Sequence, residues 1–296
     1  MALFEGCGTA LITPFRNGEV DYPALDHLVE SQIAAGVDAL IAAGTTGEPA
    51  TMTWEEHLSV IRRVVDVTHG RVPVIAGTGS NCTREAVDAA RMSKEFGADA
   101  QLVVTPYYNK TSQEGLIAHF HAVADAATLP VIVYNVPSRT GINMGGAALR
   151  AICAHPNIIG VKEASSDVGQ SLDKMRMVDG MADFYSGNDD IAVPMICCGY
   201  KGVISVVSNV MPKETTQMAH MALEGNNKEA AAWQLKLLPL INALFCETSP
   251  IPCKAAMAAL NMCADEVRLP LVPMQERNRP QLFEAMRALG LQVGNT

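Results

Sequence analysis

The chain has 296 residues, 49% of them hydrophobic, enough for one large core and a small appendage. Net charge is −9, aromatics make up only 5%, and no Lys/Arg cluster is interleaved with them, so nucleic acid is not an expected partner. No apolar run approaches the roughly 20 residues of a membrane helix. The N-terminus MALFEGCGTALITPF has no basic leader, so no signal peptide is read and a cytoplasmic protein is expected.

Short β-rich runs alternate with helical patterns along most of the chain. Strands are predicted at 8–13 (GTALIT), 38–44 (DALIAAG), 72–77 (VPVIAG) and 100–105 (AQLVVT). The series continues at 130–135 (PVIVYN), 158–163 (IIGVKE), 183–187 (DFYSG) and 202–207 (GVISVV). Between them lie amphipathic stretches such as DYPALDHLVESQIAAG and TREAVDAARMSKEFGA. TWEEHLSVIRRVVDVT opens with Thr53 and, three residues on, Glu56, the pattern of a capping box.

Eight strands alternating with helices predict an α/β fold, a (β/α)8 TIM barrel over residues 1–226, close to the usual size of about 250. A doubly wound sheet is the alternative, but no G-x-G-x-x-G follows the first strand, and GTGSN after the third lacks the final glycine. Residues 227–296 hold three helical patterns and no strand. They predict a helical appendage packed on the barrel or on a neighbouring subunit.

The eight cysteines form no C-x-x-C pair and several fall in apolar segments, so they are expected to be small buried hydrophobes rather than disulfides or zinc ligands. His119 and His121 are two apart and would not share a helix face, so no metal site is expected there.

In a (β/α)8 barrel the active site lies at the C-terminal ends of the strands. Unusual residues gather there: GTTGE (44–48), TPYYN (105–109), YNVPSRTG (134–141), KEAS (162–165) and SGND (186–189). Each has a plain explanation alone, since a Gly-Thr-Thr-Gly makes a turn and a lysine at a strand end usually snorkels to water. Their convergence on one rim is harder to dismiss.

A lysine amine at an apolar mouth is partly desolvated, which lowers its pKa and leaves some free amine near neutral pH. Lys162 is such a lysine, and a free amine attacks a ketone to give a Schiff base. Tyr134 is placed to shuttle protons, and Thr45 to hydrogen-bond its phenol. Arg139, in a Pro-containing loop, suits bidentate capture of a carboxylate; a surface arginine is the other reading. Asp189 and Asp190 after the seventh strand would repel a phosphate.

GTTGE, TPYYN, YNVPSRTG, GVKEAS and GVISV, in order and each at the matching strand end, make the chain resemble the dihydrodipicolinate synthase family of pyruvate-dependent Schiff-base lyases and aldolases. The similarity covers essentially the whole chain. It implies a pyruvate imine on Lys162, with Tyr134 as general acid–base. It also implies a proton relay of Thr45, Tyr134 and Tyr108, the last reaching in from a neighbouring subunit. Thr46, Gly187 and the Ile204 backbone would surround pyruvate, and Arg139 would hold the carboxylate of L-aspartate 4-semialdehyde. The parts this chemistry requires are present without a metal, flavin or nicotinamide motif, so no cofactor is expected; the family is usually a homotetramer, a dimer of tight dimers.

Sister enzymes such as N-acetylneuraminate lyase and 2-keto-3-deoxy-sugar-acid aldolases share the lysine and tyrosine, and Arg139 within VPSRTG is what argues against them. A non-catalytic sensor or structural subunit is expected to have lost Lys162 or Tyr134, and both are present. Inhibited members of the family bind lysine in a cleft at the tight-dimer interface. Ala50, His57, Asn81, Glu85 and Tyr107 match that site, whereas Pro49 and Trp54 depart from it, which predicts weak or absent feedback by lysine.

Overall fold

The structure, a computed structural model, describes residues 2–294. Eight short parallel strands bury both faces and would leave two unpaired edges in an open sheet; here they close on themselves. The strands are β1 (Gly6–Ala10), β2 (Ala39–Ala42), β3 (Val74–Gly77), β4 (Ala100–Val104), β5 (Val131–Asn135), β6 (Ile158–Glu163), β7 (Asp183–Ser186) and β8 (Gly202–Ser205). Each pairs with the next, and β8 returns to β1 from Gly6↔Gly202 to Thr9↔Ser205.

Side chains alternate across each strand. On β5, Val131 and Val133 pack outward under the helices, while Ile132 and Tyr134 point into the barrel with Ile41, Ile75, Leu102 and Tyr185. Phe4, from the segment before β1, stacks on Tyr185 with centroids 4.4 Å apart.

β6 breaks the alternation. Ile158 pairs with Val131, but Gly160 already pairs with Ile132, leaving Ile159 as a bulge. Ile159 packs on the interior cluster, and a Cβ on Gly160 would also meet interior atoms, Ile132 Cγ1 and Tyr185 Cε2, each at 3.3 Å. Two consecutive inward residues invert the phase. Val161 therefore faces the helices and Lys162 pairs with Tyr134 inside. Without the bulge, Lys162 would share the outward face of Ile158.

The first strand starts and ends earlier than its hydropathy predicts. Leu11 and Ile12 are as apolar as a strand and fully buried, but beyond Leu11, whose N–H still reaches Ile41 O at 3.1 Å, β2 has ended. The chain leaves instead for a two-stranded ribbon, Phe15–Arg16 with Glu19–Val20. The capping box at Trp54–Thr68 forms as predicted: Glu56 N donates to Thr53 Oγ1 and Thr53 N to Glu56 Oε2.

Asn227–Leu244, Ile251–Ala259 and Arg279–Ala288 supply the three tail helices. The first packs along Pro212–Leu223 on the barrel's flank. Among the cysteines, Cys7, Cys153 and Cys253 are buried, but Cys197, Cys198 and Cys246 are exposed, against expectation. Cys197 and Cys198 end the short helix Ala192–Cys197, whose buried stripe is already supplied by Ala192, Val193, Met195 and Ile196.

His119 and His121 do part company on their helix, Gln113–Ala127. His121 Nε2 bonds the Ala151 carbonyl, whereas His119 is buried with Nδ1 3.0 Å from Thr83 Oγ1 and Nε2 without a partner. Burial disfavours the imidazolium and pulls the His119 pKa from 6.5 to about 4. The unfolded chain takes up this proton as pH falls through 6.5 and the folded chain only near 4, so the His119 contribution is full above pH 6.5 and is lost across that window. The loss reaches up to about 3 kcal/mol. Denaturant melts of wild type and His119→Asn across this range should show a shallower pH slope in the variant; identical slopes would refute the assignment.

Candidate active site

Lys162 and Tyr134 occupy one rung of the β5–β6 ladder, near the C-terminal ends of their strands. Lys162 Nζ lies 4.4 Å from the Tyr134 ring centroid, and both side chains are buried. Burial lowers the Lys162 pKa to about 8, with the Arg139 cation adding to the fall and Asp189 opposing it. At pH 7 a pKa of about 8 leaves roughly one lysine in ten as free amine, against fewer than about one in a thousand for an exposed lysine. Burial pushes the Tyr134 phenol up to about 12, while Arg139 and a hydrogen-bonding contact with Thr45 pull the other way. The phenol is therefore held in its neutral form.

Gly187, after β7, lets the lysine stem pass: a Cβ there would lie 2.6 Å from Ala164 Cβ and 3.1 Å from Lys162 Cε. Ile204 on β8 faces the same interior. Asp189 is not the anion-repelling group at the open mouth that its sequence position suggests. It is buried, and its Oδ2 accepts from Val206 N at 2.9 Å and Val207 N at 3.0 Å, tying down the segment after β8.

Thr45 and Thr46 lie in the turn Thr45–Gly47 after β2, which Glu48 leaves in the left-handed region (φ 57°). Glu48 has no role legible in the rim motif GTTGE alone. Its carboxylate is 2.6 Å from Lys254 Nζ, and both side chains are essentially inaccessible. Lys254 Nζ also sits 3.9 Å above the Phe15 ring. The signal was visible as a lone charge in the otherwise apolar helix Ile251–Ala259. Arg139, in the helical turn Pro137–Thr140, donates through Nη2 to Ser249 O at 3.1 Å. Two rim elements are thus braced by the tail.

A cleft of about 530 Å³ runs from Thr45, Tyr134 and Arg139 outward to Tyr107 and Glu85. Ala50, His57, Pro49 and Trp54 line the same cleft. His57 Nε2 is 2.8 Å from Gly77 O, with the Trp54 ring edge-on at 6.4 Å; Glu85 accepts from Ser80 Oγ at 2.8 Å. Asn81 stands beside this group, its carbonyl accepting from Asn109 Nδ2. Tyr108 is 91% exposed with φ 67° and does not line the cleft of its own chain.

The sequence profile of the Dihydrodipicolinate synthetase family matches residues 3–289. The chain belongs to this family. It is 47% identical over 289 residues to the 4-hydroxy-tetrahydrodipicolinate synthase of Geotalea uraniireducens (strain Rf4), covering 98% of this chain and 100% of that one. It is likewise 47% identical to the synthase of Alkaliphilus oremlandii (strain OhILAs), over 96% of this chain and 98% of the other. The crystal structure of dihydrodipicolinate synthase from Aquifex aeolicus superposes with a TM-score of 0.97 at 43% identity, covering 99% of this chain and 100% of that one. That of the Cyanidioschyzon merolae enzyme with lysine bound superposes at 0.95 with 40% identity, covering 98% and 100%. Like its family the chain is an enzyme, and among its described residues no helix is long and apolar enough to cross a membrane.

The amine itself is open to test. Reductive alkylation of the family member by a small carbonyl reagent should modify Lys162 ahead of every exposed lysine, with a rate that climbs with pH and levels off just above 8. A rate still climbing toward pH 10 would mean that Lys162 titrates as an ordinary lysine.

Proposed function

We propose that the chain is a 4-hydroxy-tetrahydrodipicolinate synthase in which Lys162 is the nucleophile and Tyr134 the proton carrier. The Lys162 amine adds to C2 of pyruvate, and loss of water leaves a protonated imine. The imine draws electrons from the bond to a methyl hydrogen; that proton leaves and an enamine forms. The enamine carbon attacks the aldehyde of L-aspartate 4-semialdehyde, making the new carbon–carbon bond. The amine of that substrate then displaces Lys162 and closes the ring, freeing the lysine. Tyr134 carries protons to and from the nitrogen and oxygen centres, with Thr45 orienting its phenol.

The observation that carries this reading is the buried Lys162 amine against the Tyr134 ring, with its pKa near the working range of an amine nucleophile. Thr46, Gly187 and the Ile204 backbone surround pyruvate. Arg139, held at the mouth by Ser249, receives the carboxylate of the second substrate. Tyr108 turns away from its own cleft and completes the relay in a neighbouring subunit of a homotetramer, a dimer of dimers working in the cytoplasm. The cleft residues Ala50, His57, Glu85 and Tyr107, with Asn81 beside them, form a lysine-responsive site that Pro49 and the Trp54 indole weaken, leaving little feedback.

Intact mass after incubation with pyruvate and borohydride tests the first step. Wild type should carry one reduced pyruvate and Lys162→Ala none; no adduct on folded wild type would break the mechanism. Tyr134→Phe should lose at least about a hundredfold in kcat. Arg139→Ala should raise KM for aspartate semialdehyde more than for pyruvate, and equal effects on both would remove its assigned role. L-Lysine at micromolar concentration should leave the steady-state rate unchanged; strong inhibition would overturn the weakened site.

A further inference from the structure

Glu163 follows the nucleophile in the chain and takes no part in the chemistry above. It is nonetheless buried on the outer face of β6, its side chain 1% exposed, opposite a Lys174 that is 2% exposed. Lys174 Nζ donates to Glu163 Oε2 at 3.0 Å. Asn135, the residue after Tyr134, donates through Nδ2 to both carboxylate oxygens, at 2.9 and 3.0 Å. Ser165 N donates to Oε1 at 2.8 Å. Asn143 Oδ1 accepts from Lys174 Nζ at 2.8 Å and from Asn135 Nδ2 at 2.9 Å, and Asn135 Oδ1 accepts from Met144 N at 3.1 Å.

Stability is a poor reason for this network. Stripping water from a carboxylate and an ammonium offsets most of their attraction, and well-packed apolar side chains commonly hold a barrel at least as well. Its place in the ladder is more telling. Tyr134↔Lys162 and Asn135↔Glu163 are successive rungs of the same strand pair. The inner rung carries the amine and the phenol, and the outer rung carries the network. The bulge at Ile159 lies just upstream and interrupts the ladder, so only the four rungs from Ile132↔Gly160 to Asn135↔Glu163 hold this end of β6 in its inverted phase, and the network grips the last of them.

We propose that Asn135, Glu163 and Lys174 are positioning residues, a polar clamp outside the barrel that holds the Lys162 amine against Tyr134 inside it. The clamp rests on the roles assigned to Lys162 and Tyr134 above. It fixes the height and twist of the two strand ends, so that the proton leaving the pyruvate methyl group meets the phenol system at hydrogen-bonding distance. A displacement of about 1 Å is enough to slow such a step by up to a hundredfold without preventing imine formation.

The test separates imine formation from proton transfer. Borohydride trapping at saturating pyruvate counts the sites that form the imine, and exchange of pyruvate methyl hydrogens with D2O, without aldehyde, measures enamine formation per trapped site. Glu163→Gln keeps the shape and the acceptor for Ser165 N. It should trap fully yet exchange at least roughly tenfold more slowly per site, with Lys174→Arg, which keeps the charge, close to wild type. Asn143→Ala, at an exposed rim position that does not endanger folding, should slow exchange severalfold per site and decides the matter if Glu163→Gln does not fold. Per-site exchange at the wild-type rate in the folded variants, with only the melting temperature lowered, would reduce the clamp to a stability element and overturn the proposal. A wild type that traps no pyruvate would instead sink the Lys162 assignment, and the clamp with it.

Discussion

Inside the barrel the Lys162 amine lies over the Tyr134 ring, 4.4 Å from its centre, and burial biases both groups toward their uncharged forms. A lysine in water keeps its proton and is no nucleophile; a phenol in water gives its proton up more readily than this one. Both shifts have one leading cause, removal from solvent. Arg139 strengthens the effect on the lysine, and Asp189, bound to two backbone amides, limits it. The amine is thus left near pKa 8 rather than lower, where a free amine would be plentiful but a protonated imine harder to sustain.

Holding that pair asks for more than eight strands. The rim loops need anchors because loop backbone finds few partners of its own. Two of those anchors come from the tail, whose sequence carries none of the motifs. Lys254 holds the turn bearing Thr45 and Thr46 through Glu48, and the Ser249 carbonyl holds Arg139. The tail is accordingly part of the site's scaffold as well as a cover for the barrel's flank. On the barrel's outer face, Glu163 and Lys174 brace the strand ends that present the pair.

Much of this was legible in the sequence. Eight apolar runs, the rim motifs and the lone lysine in IIGVKE point to the barrel, its candidate active end and the proposed nucleophile, because a parallel strand buried on both faces must read as continuously apolar and a charge within it is conspicuous. The capping box at Thr53 was equally visible, since it depends only on residues three apart. The end of β1 was not: Leu11 and Ile12 suit a strand, and the pairing stops only because β2 does. Nor was the fate of Asp189, whose Oδ2 is held by the backbone amides of Val206 and Val207, 17 and 18 residues further along the chain.

The sequence by itself determined the architecture and the family and singled out the candidate reacting side chains, since these follow from local hydrophobic patterning and from residue types at strand ends. Only the tertiary structure decided which way Lys162 points. Strict alternation from Ile158 would send it outward among the helices, and the bulge at Ile159 turns it inward to Tyr134. A bulge is a property of two strands in register, which no single strand's sequence contains. The partners of Glu48, Glu163 and Arg139 were decided in the same way, by groups brought together in space at sequence separations of 206, 11 and 110 residues respectively.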